Sequence, residues 1–286
     1  MTAFHEHEAA TPHRCIPIFE KTQHELLSML KLLSPEEWQS PASSSEWNVK
    51  DIAAHLLDGD LRRLSIHRDG HRLPDPKTPP NTHESLVEYL NGLNAEWIMA
   101  SRRLSPALII ELTEFTTPKV IAHFKQLDPE GTALFPVGWA GGTESENRFD
   151  IAREYTEKWH HQQQIREAAG RPLLVDKQWL SPLINTLIRG VPPVYNRFAG
   201  DRQGGRIGIH ITGALEAQWV LAKRGERWQL FKPDVEQAET TVEMSEETAW
   251  RLFTKRLTEQ EAVERMSISG NRELGKLIAK TVSFMK

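Results

Sequence analysis

Two predicted helices carry the side chains best placed for chemistry in this sequence of 286 residues. In the first, His55 lies between Ile52 and Leu56, on or beside the apolar face, where a histidine is more often a core residue than a metal ligand. In the second, Glu157 and His161 are four residues apart and therefore share one helical face. A carboxylate and an imidazole at this spacing can bind one metal ion. The competing interpretation is a surface pair that stabilises the helix by roughly 0.2–0.5 kcal/mol.

Together, the two helices offer His55, Glu157 and His161 as three ligands of one divalent cation. Three protein ligands leave positions open for water or substrate, as in catalytic rather than structural metal sites. Two neutral imidazoles and one carboxylate suit zinc, nickel or iron(II) better than cations that prefer oxygen alone. Spacing alone leaves the choice of histidine open, because His160 is three residues from Glu157, and His160 also stays open as a fourth ligand. We assign no catalytic residue beyond these predicted ligands.

Two further residues are candidates for contacts with a substrate. Trp139 belongs to a Gly-rich loop ahead of the second helix, where it either lines the mouth of a pocket or covers the end of a helical bundle. Arg166 lies beyond His161 on a different face, where it either binds a substrate carboxylate or forms a salt bridge. Cys15 is the only cysteine, which excludes an intrachain disulfide and a cysteine-based zinc site. We interpret it as a small buried hydrophobic residue.

The first two thirds of the chain has the apolar spacing of helices. Asn48 and Asp51 have the spacing of a capping box, which predicts the start of the helix that carries His55. Proline is expected to stop the first helix at Pro35 and to interrupt a later helix at Pro118. The predicted helices cover residues 16–33, 48–69, 82–104, 105–125, 148–169 and 176–189, with a long loop at residues 128–147.

The pattern changes after Gly200, where two glycines between residues 201 and 205 indicate a boundary. Alternation at residues 207–211 predicts a strand, and apolar segments on either side of residues 223–226 predict a hairpin. Further strands are predicted at residues 240–244 and 266–269, and further helices at residues 246–254 and 272–284. The sequence therefore predicts an α domain, residues 1–200, followed by a smaller α+β domain, residues 201–286.

Two segments resemble a known family. Residues 47–56, WNVKDIAAHL, are similar to the WxVxDxxxHL pattern of the DinB-like superfamily. Residues 159–166, WHHQQQIR, are similar to the WxHxQDIR pattern of its mycothiol-dependent maleylpyruvate isomerase branch, and aligning the shared residues selects His161 over His160 as the ligand. Residues 207–284 resemble the sterol-carrier-like domain of that branch, so the resemblance covers nearly the whole chain.

The resemblance implies a DinB-like four-helix bundle that holds one divalent metal, followed by a small SCP2-like α+β domain. It also implies a low-molecular-weight thiol such as mycothiol as cofactor, with bacillithiol and glutathione as alternatives, and it is compatible with a homodimer. Gln164 departs from the family pattern, in which this position is usually acidic, so the part that such a carboxylate plays around the metal is not implied here.

The chemistry implied is attack of a metal-activated thiolate on a small electrophilic substrate, either isomerising it or remaining bonded to it by S-transfer. Two other classes of protein stay open. One is a carrier of an apolar ligand, as the C-terminal resemblance to sterol-carrier domains suggests, and the other is a metal-binding protein without turnover. The number of protein ligands distinguishes an enzyme from these two classes. Three ligands with open positions favour catalysis, whereas a fourth ligand would favour a structural metal.

Composition narrows the function further. The formal charge is −4, with 35 basic and 39 acidic residues and no basic excess, so nucleic acid is not expected as a partner. Hydrophobic residues make up 39% of the chain and charged residues 26%, as in a folded globular protein. No apolar segment approaches the ~20 residues of a membrane helix, and no secretory signal is evident, so we expect a cytoplasmic protein without a membrane partner.

Overall fold

The computed structural model describes residues 14–42, 46–72, 79, 82–200, 205–233 and 238–283, which divide into two compact units. The bundle unit comprises the described residues of Cys15–Leu134 and Glu154–Leu174. The sheet unit comprises those of Phe135–Arg153 and Val175–Phe284. A helical region followed by a five-stranded sheet confirms the predicted fold class of an α domain and an α+β domain.

The bundle unit is built from helices that bury one apolar side each. They are α1 (Ile16–Leu30), α2 (Pro35–Gln39), α3 (Val49–Arg62), α4 (His83–Ser101), α5 (Pro106–Gln126) and α6 (Asn147–Ala168), the last counted in this unit from Glu154 onward. Their apolar core includes Leu30 of α1, Ile52 of α3, Ile109 of α5 and Ile165 of α6, all fully buried. Burial of this size contributes roughly 1.5–3 kcal/mol for each large side chain.

Proline and capping residues set the helix ends, with one correction to the sequence prediction. The capping box of α3 is confirmed, because the Asn48 side chain accepts a hydrogen bond from the Asp51 amide at 2.9 Å. Pro35 does not itself end the first helix, which stops at Leu30; it is the first residue of α2. The interruption predicted at Pro118 is wrong, since α5 continues through it. Burial of Thr117 and Val120 on either side holds that segment in place.

A buried polar network joins four of these helices. Lys158 of α6 and Asp60 of α3 form an ion pair at 2.7 Å, with side chains that are only 3% and 1% exposed. Asp60 also accepts hydrogen bonds from Gln23 of α1 and from Thr116 and Thr117 of α5, at 3.2–3.4 Å. The pair is therefore surrounded by donors, as two charges removed from water require.

Two more contacts join α3 to α6. Lys158 Nζ donates to the carbonyl of Leu56 at 2.6 Å. Beyond the end of α3, the chain continues as one π-helical segment, Arg63–Arg68, and Arg63 forms a buried ion pair with Glu154 at 2.9 Å. Since Leu56 follows His55 and Lys158 follows Glu157, these bonds set the relative height of the two candidate ligand segments.

The sheet unit has the strand order β3-β2-β1-β4-β5. Its strands are β1 (Arg206–Thr212), β2 (Ala217–Arg224), β3 (Arg227–Phe231), β4 (Thr240–Ser245) and β5 (Met266–Ser269), and its helices are α7 (Lys177–Leu187), α8 (Val191–Phe198), α9 (Glu246–Phe253), α10 (Glu259–Glu264) and α11 (Arg272–Gly275). Only β1 and β4 run parallel; the other neighbours are antiparallel. The predicted hairpin is confirmed, with Gly225 in its turn at a φ of 60°.

The helix predicted at residues 272–284 is a further correction. It ends as an α-helix at Gly275, continues as a 3₁₀ turn over Lys276–Lys280 and is extended after that; the last predicted residue, Phe284, lies outside the described part of the chain. The cause is tertiary: Ser283 donates from its amide to Phe253 and from its hydroxyl to Leu187. An uninterrupted α-helix could not make these bonds.

The domain boundary predicted between residues 200 and 201 stays a prediction, and residues 201–204 lie outside the described part. The two compact units divide elsewhere, since α7 and α8 are grouped with the sheet. Hydrogen bonds explain this grouping. The Asn196 side chain of α8 accepts a bond from the backbone amide of Trp228 in β3 and donates one to its carbonyl. Tyr195 of α8 donates to the carbonyl of Leu274 at 3.0 Å. Among the helices described, none combines the length and apolarity needed to cross a membrane.

The network around Asp60 gives the first testable prediction. Removing its carboxylate in Asp60→Ala leaves the Lys158 ammonium buried without its counter-ion, so we expect a loss of about 3–5 kcal/mol in the free energy of unfolding, measured by urea denaturation. The exposed pair of Glu20 and Lys125 provides the control, and Glu20→Ala should cost less than about 1 kcal/mol. The double variant Asp60→Leu with Lys158→Met should recover much of the loss. Equal costs for Asp60→Ala and the control would contradict this assignment.

Candidate metal centre

His55 projects from α3 at a point fixed by its neighbours. The residue before it, Ala54, accepts a hydrogen bond through its carbonyl from the indole of Trp97 at 2.8 Å. The residue after it, Leu56, accepts the bond from Lys158. Trp47 packs against the imidazole, with ring centroids 5.1 Å apart. The backbone of α3 is therefore held on both sides of His55, and one face of its ring is covered.

The rotation of α6 about its own axis is fixed by contacts on the face opposite to Glu157 and His161. Trp159 donates through its indole to the carbonyl of Leu174 at 2.9 Å, and the Gln163 amide exchanges two hydrogen bonds with the backbone of Leu174. Residues two positions apart on an α-helix are about 200° apart around its axis. Fixing Trp159 and Gln163 on one face therefore directs Glu157 and His161 to the other.

The structure brings the three predicted ligands together. His55, Glu157 and His161 each offer one donor atom, and the three atoms lie within 4.8 Å of one another. The Nε2 atom of His161 is 3.5 Å from a carboxylate oxygen of Glu157, and the ring centroids of His55 and His161 are 4.7 Å apart. Bonds of about 2.0–2.2 Å from zinc to nitrogen and oxygen require donor atoms that converge in this way.

The local chemistry fits a cation with nitrogen and oxygen ligands. The Nδ1 atom of His55 is buried and has no hydrogen-bond partner among the described residues, a cost that coordination or a bound group would remove. Burial lowers the pKa of His55 well below its ordinary value of 6.5, and the nearby positive charges of Arg62 and Lys158 add to this effect. The ring is therefore neutral at pH 7, which is the form that binds a metal.

The remaining candidates from the sequence have other surroundings. His160 is buried beside His161, with ring centroids 5.2 Å apart, but it is not one of the three residues whose donor atoms meet. The guanidinium of Arg166 donates to Glu25 at 3.1 Å and to the carbonyl of Pro172 at 2.8 Å. These bonds favour the salt-bridge interpretation of Arg166, and its contact with a substrate stays a prediction.

Trp139 belongs to the sheet unit. It lies in a 3₁₀ turn, Gly138–Ala140, and packs edge-on against Phe149 with ring centroids 5.8 Å apart. Its side chain is largely buried, and its contact with a substrate also stays a prediction. The interpretation of Cys15 as a buried residue agrees with an exposure of 1%.

Sequence reasoning assigned no role to one residue of the site, Gln164. The Nδ1 atom of His161 lies 2.7 Å from the side-chain oxygen of Gln164, and both side chains are buried. The spacing of the two residues could have predicted this contact, because Gln164 follows His161 by three residues and lies on the same side of α6.

These features define a class of protein with a helical unit that carries a histidine–glutamate cluster and a unit with a five-stranded sheet. Comparison with known proteins gives the family. The model of the mycothiol maleylpyruvate isomerase N-terminal domain matches residues 19–166, just over half of the chain. The chain therefore belongs to this family.

A solved structure agrees on the fold. A histidine-to-alanine mutant of a mycothiol-dependent maleylpyruvate isomerase aligns with a TM-score of 0.50 and 14% identity, covering 94% of this chain and 96% of the other. A second structure of a mycothiol-dependent maleylpyruvate isomerase aligns with a TM-score of 0.49 at the same identity and coverage. At this identity, the similarity to the first structure is evidence for the fold alone. A search of curated proteins finds no match.

The lowered pKa of His55 gives a prediction about stability without metal. Below pH 6.5 the unfolded chain takes up a proton at His55 that the folded protein does not bind, so the free energy of unfolding should fall as pH is lowered. The contribution of one such group is at most about 1.4 kcal/mol per pH unit. Urea denaturation in EDTA between pH 7.5 and 5.5 should give a smaller slope for His55→Gln than for the unchanged protein. The exposed His24 supplies the control variant His24→Gln, and equal slopes for both variants would contradict the prediction.

Proposed function

We propose that this protein is a divalent-metal-dependent enzyme that uses a low-molecular-weight thiol of the mycothiol type either to isomerise a small electrophilic substrate or to bond the thiol to it by S-transfer. The observation that carries the proposal is the convergence of His55, Glu157 and His161 within 4.8 Å. Membership of the mycothiol maleylpyruvate isomerase family supports the thiol as the co-substrate. The similar structure with a TM-score of 0.50 is a mutant of a mycothiol-dependent maleylpyruvate isomerase, which supports isomerisation as the first reaction to test.

The three side chains would act as the ligands, with zinc as the first candidate and nickel or iron(II) as alternatives. A cation bound there would lower the pKa of a coordinated thiol, so that sulfur is present as thiolate at neutral pH. Glu157 contributes the single negative charge of the ligand set, and the two imidazoles bind in their neutral form. His160 is outside the converging group, so the set leaves positions for thiol and substrate.

A thiolate held there would supply a nucleophile for an electrophilic double bond. Its addition, rotation about the resulting single bond and elimination of the same thiolate would give the geometric isomer without an oxidant or reductant. Return of the proton that the thiol loses on ionisation to the neighbouring carbon would instead retain the carbon–sulfur bond and give an S-adduct. The contacts of Trp47 with His55, of Lys158 with the carbonyl of Leu56 and of Gln164 with His161 would hold the ligands in position.

The same proposal includes the predicted substrate contacts, the type of the α+β domain and the cellular location. Trp139 and Arg166 are candidate substrate contacts, and the α+β region is proposed to be SCP2-like, in a domain that starts at residue 201. A cytoplasmic location is proposed because the reducing cytoplasm keeps small thiols available, and a chain with one buried cysteine has no disulfide to lose there.

Metal content is the first measurement of this proposal. Protein purified without a histidine tag should contain one equivalent of zinc, nickel or iron by elemental mass spectrometry. His161→Ala and Glu157→Gln should each lose most of it, because each removes one of three ligands. The exposed His24 supplies the matched control, and His24→Ala should retain the metal. Metal that remains in His161→Ala, or that is absent from the unchanged protein after reconstitution, would contradict the site.

Thiol binding is a separate prediction with an optical readout. Protein loaded with cobalt(II) should develop a sulfur-to-metal charge-transfer absorption when mycothiol is added, and His55→Ala should not. Glutathione and bacillithiol are tested in parallel, because the thiol that gives the tightest titration identifies the natural class. Maleylpyruvate then serves as the probe electrophile for isomerisation. If the metal-loaded protein shows no new absorption with any of the three thiols, the protein binds a metal but not a thiol, and the proposed thiol chemistry is wrong.

A further inference from the structure

The hydrogen bond between His161 and Gln164 decides which ring nitrogen of His161 is free to bind a metal. The side-chain oxygen of Gln164 lies 2.7 Å from Nδ1 of His161. The other ring nitrogen, Nε2, faces Glu157 at 3.5 Å. His161 is 6% exposed and Gln164 is 2% exposed, so water has little access to this bond.

The direction of this bond follows from the donor and acceptor inventory of the two side chains. An amide oxygen can only accept, so Nδ1 must carry the proton, and the lone pair of a neutral imidazole is then on Nε2. If the amide nitrogen of Gln164 faced His161 instead, it would donate to Nδ1. The proton would then be on Nε2, pointing towards the carboxylate of Glu157, and the metal position would be closed.

We propose that Gln164 is a positioning residue that holds His161 in the Nδ1-protonated tautomer and directs Nε2 towards Glu157 and His55. The proposal rests on the proposed function for the identity of the metal site. It extends that function by assigning a role to a buried residue outside the three predicted ligands.

The choice of an amide also sets the charge of the site. A carboxylate at this position would accept the same hydrogen bond but add a second negative charge beside Glu157. With Gln164, the ligand set and its hydrogen-bonded neighbour together carry one negative charge, so a bound dication keeps a net charge of +1. That excess favours an anionic thiolate over a neutral ligand. Gln164 therefore supplies the orientation that a carboxylate would give, without reducing the attraction for the thiolate.

The test combines the tautomer with the affinity for zinc. Long-range proton–nitrogen NMR of ¹⁵N-histidine-labelled protein in EDTA reports the tautomer without a metal, and the spectrum of His161→Gln assigns the signals. We expect the Nδ1-protonated form in the unchanged protein and a mixture of tautomers in Gln164→Leu. Zinc affinity, measured by competition with a chromophoric chelator, should fall by about 10–100-fold in Gln164→Leu.

Two further variants separate positioning from simple loss of packing. Gln164→Glu keeps an acceptor in place, so it should restore the tautomer and the zinc affinity while weakening the cobalt–mycothiol absorption titration. Gln162→Leu removes a different buried amide of the same helix and should leave the tautomer of His161 unchanged. A matching loss of zinc affinity in Gln162→Leu would point to packing of α6 and would overturn the specific role of Gln164.

The outcomes distinguish this proposal from the proposed function. An Nε2-protonated His161 in the unchanged metal-free protein, or an unchanged zinc affinity in Gln164→Leu, overturns the role of Gln164 even where thiol binding is observed. The expected tautomer and zinc affinities, together with no response to any thiol, retain Gln164 and reject the thiol enzyme. If Gln164→Leu fails to fold, the tautomer of the unchanged protein and the behaviour of Gln164→Glu still decide the question.

Discussion

The ion pair between Lys158 and Asp60 is the constraint on which the arrangement of the candidate site depends. Each of the two charges is almost completely buried, so the only relative height of α3 and α6 that avoids an unpaired charge is the one in which they meet. His55 is five residues before Asp60 and Glu157 is adjacent to Lys158, so this height also determines how far apart the candidate ligands are. A buried pair contributes little net stability compared with a packed apolar pair, and its effect here is on register.

The same network explains how so polar a helix is buried. Between Thr156 and Arg166, most side chains of α6 are polar and almost all are buried. Burial of such groups is tolerated only when each finds a partner. Lys158 has Asp60 and the carbonyl of Leu56, Gln163 has the backbone of Leu174, and His161 has Gln164. Most of the surface of α6 is thus occupied by structural bonds, and the face that carries Glu157 and His161 is the one that remains for a ligand.

The sequence predicted what depends on local pattern and on single residues of distinctive chemistry. Apolar spacing gave the long helices, alternation gave the strand at residues 207–211, and Asn48 with Asp51 gave the start of α3, all of which are confirmed. The predictions that failed depended on tertiary contacts. The continuity of α5 through Pro118 and the early end of the helix at Gly275 are decided by packing and by bonds to Phe253 and Leu187, residues far away in sequence.

The residues of the candidate site fall into the same two groups: those predictable from local pattern and those that depend on tertiary contacts. His55, Glu157 and His161 were predictable from ligand-type side chains at helical spacing together with the family resemblance, which selected His161, and the structure brings their donor atoms within 4.8 Å. Lys158 and Gln164 were not, because a lysine or a glutamine in a helix usually faces solvent, and only the structure gives them buried partners. Yet these two residues position the ligands: Lys158 sets the relative height of α3 and α6, and Gln164 sets which nitrogen of His161 faces Glu157. A family pattern that matches every ligand is therefore insufficient evidence for a metal site, unless the residues that orient those ligands have partners of the right kind.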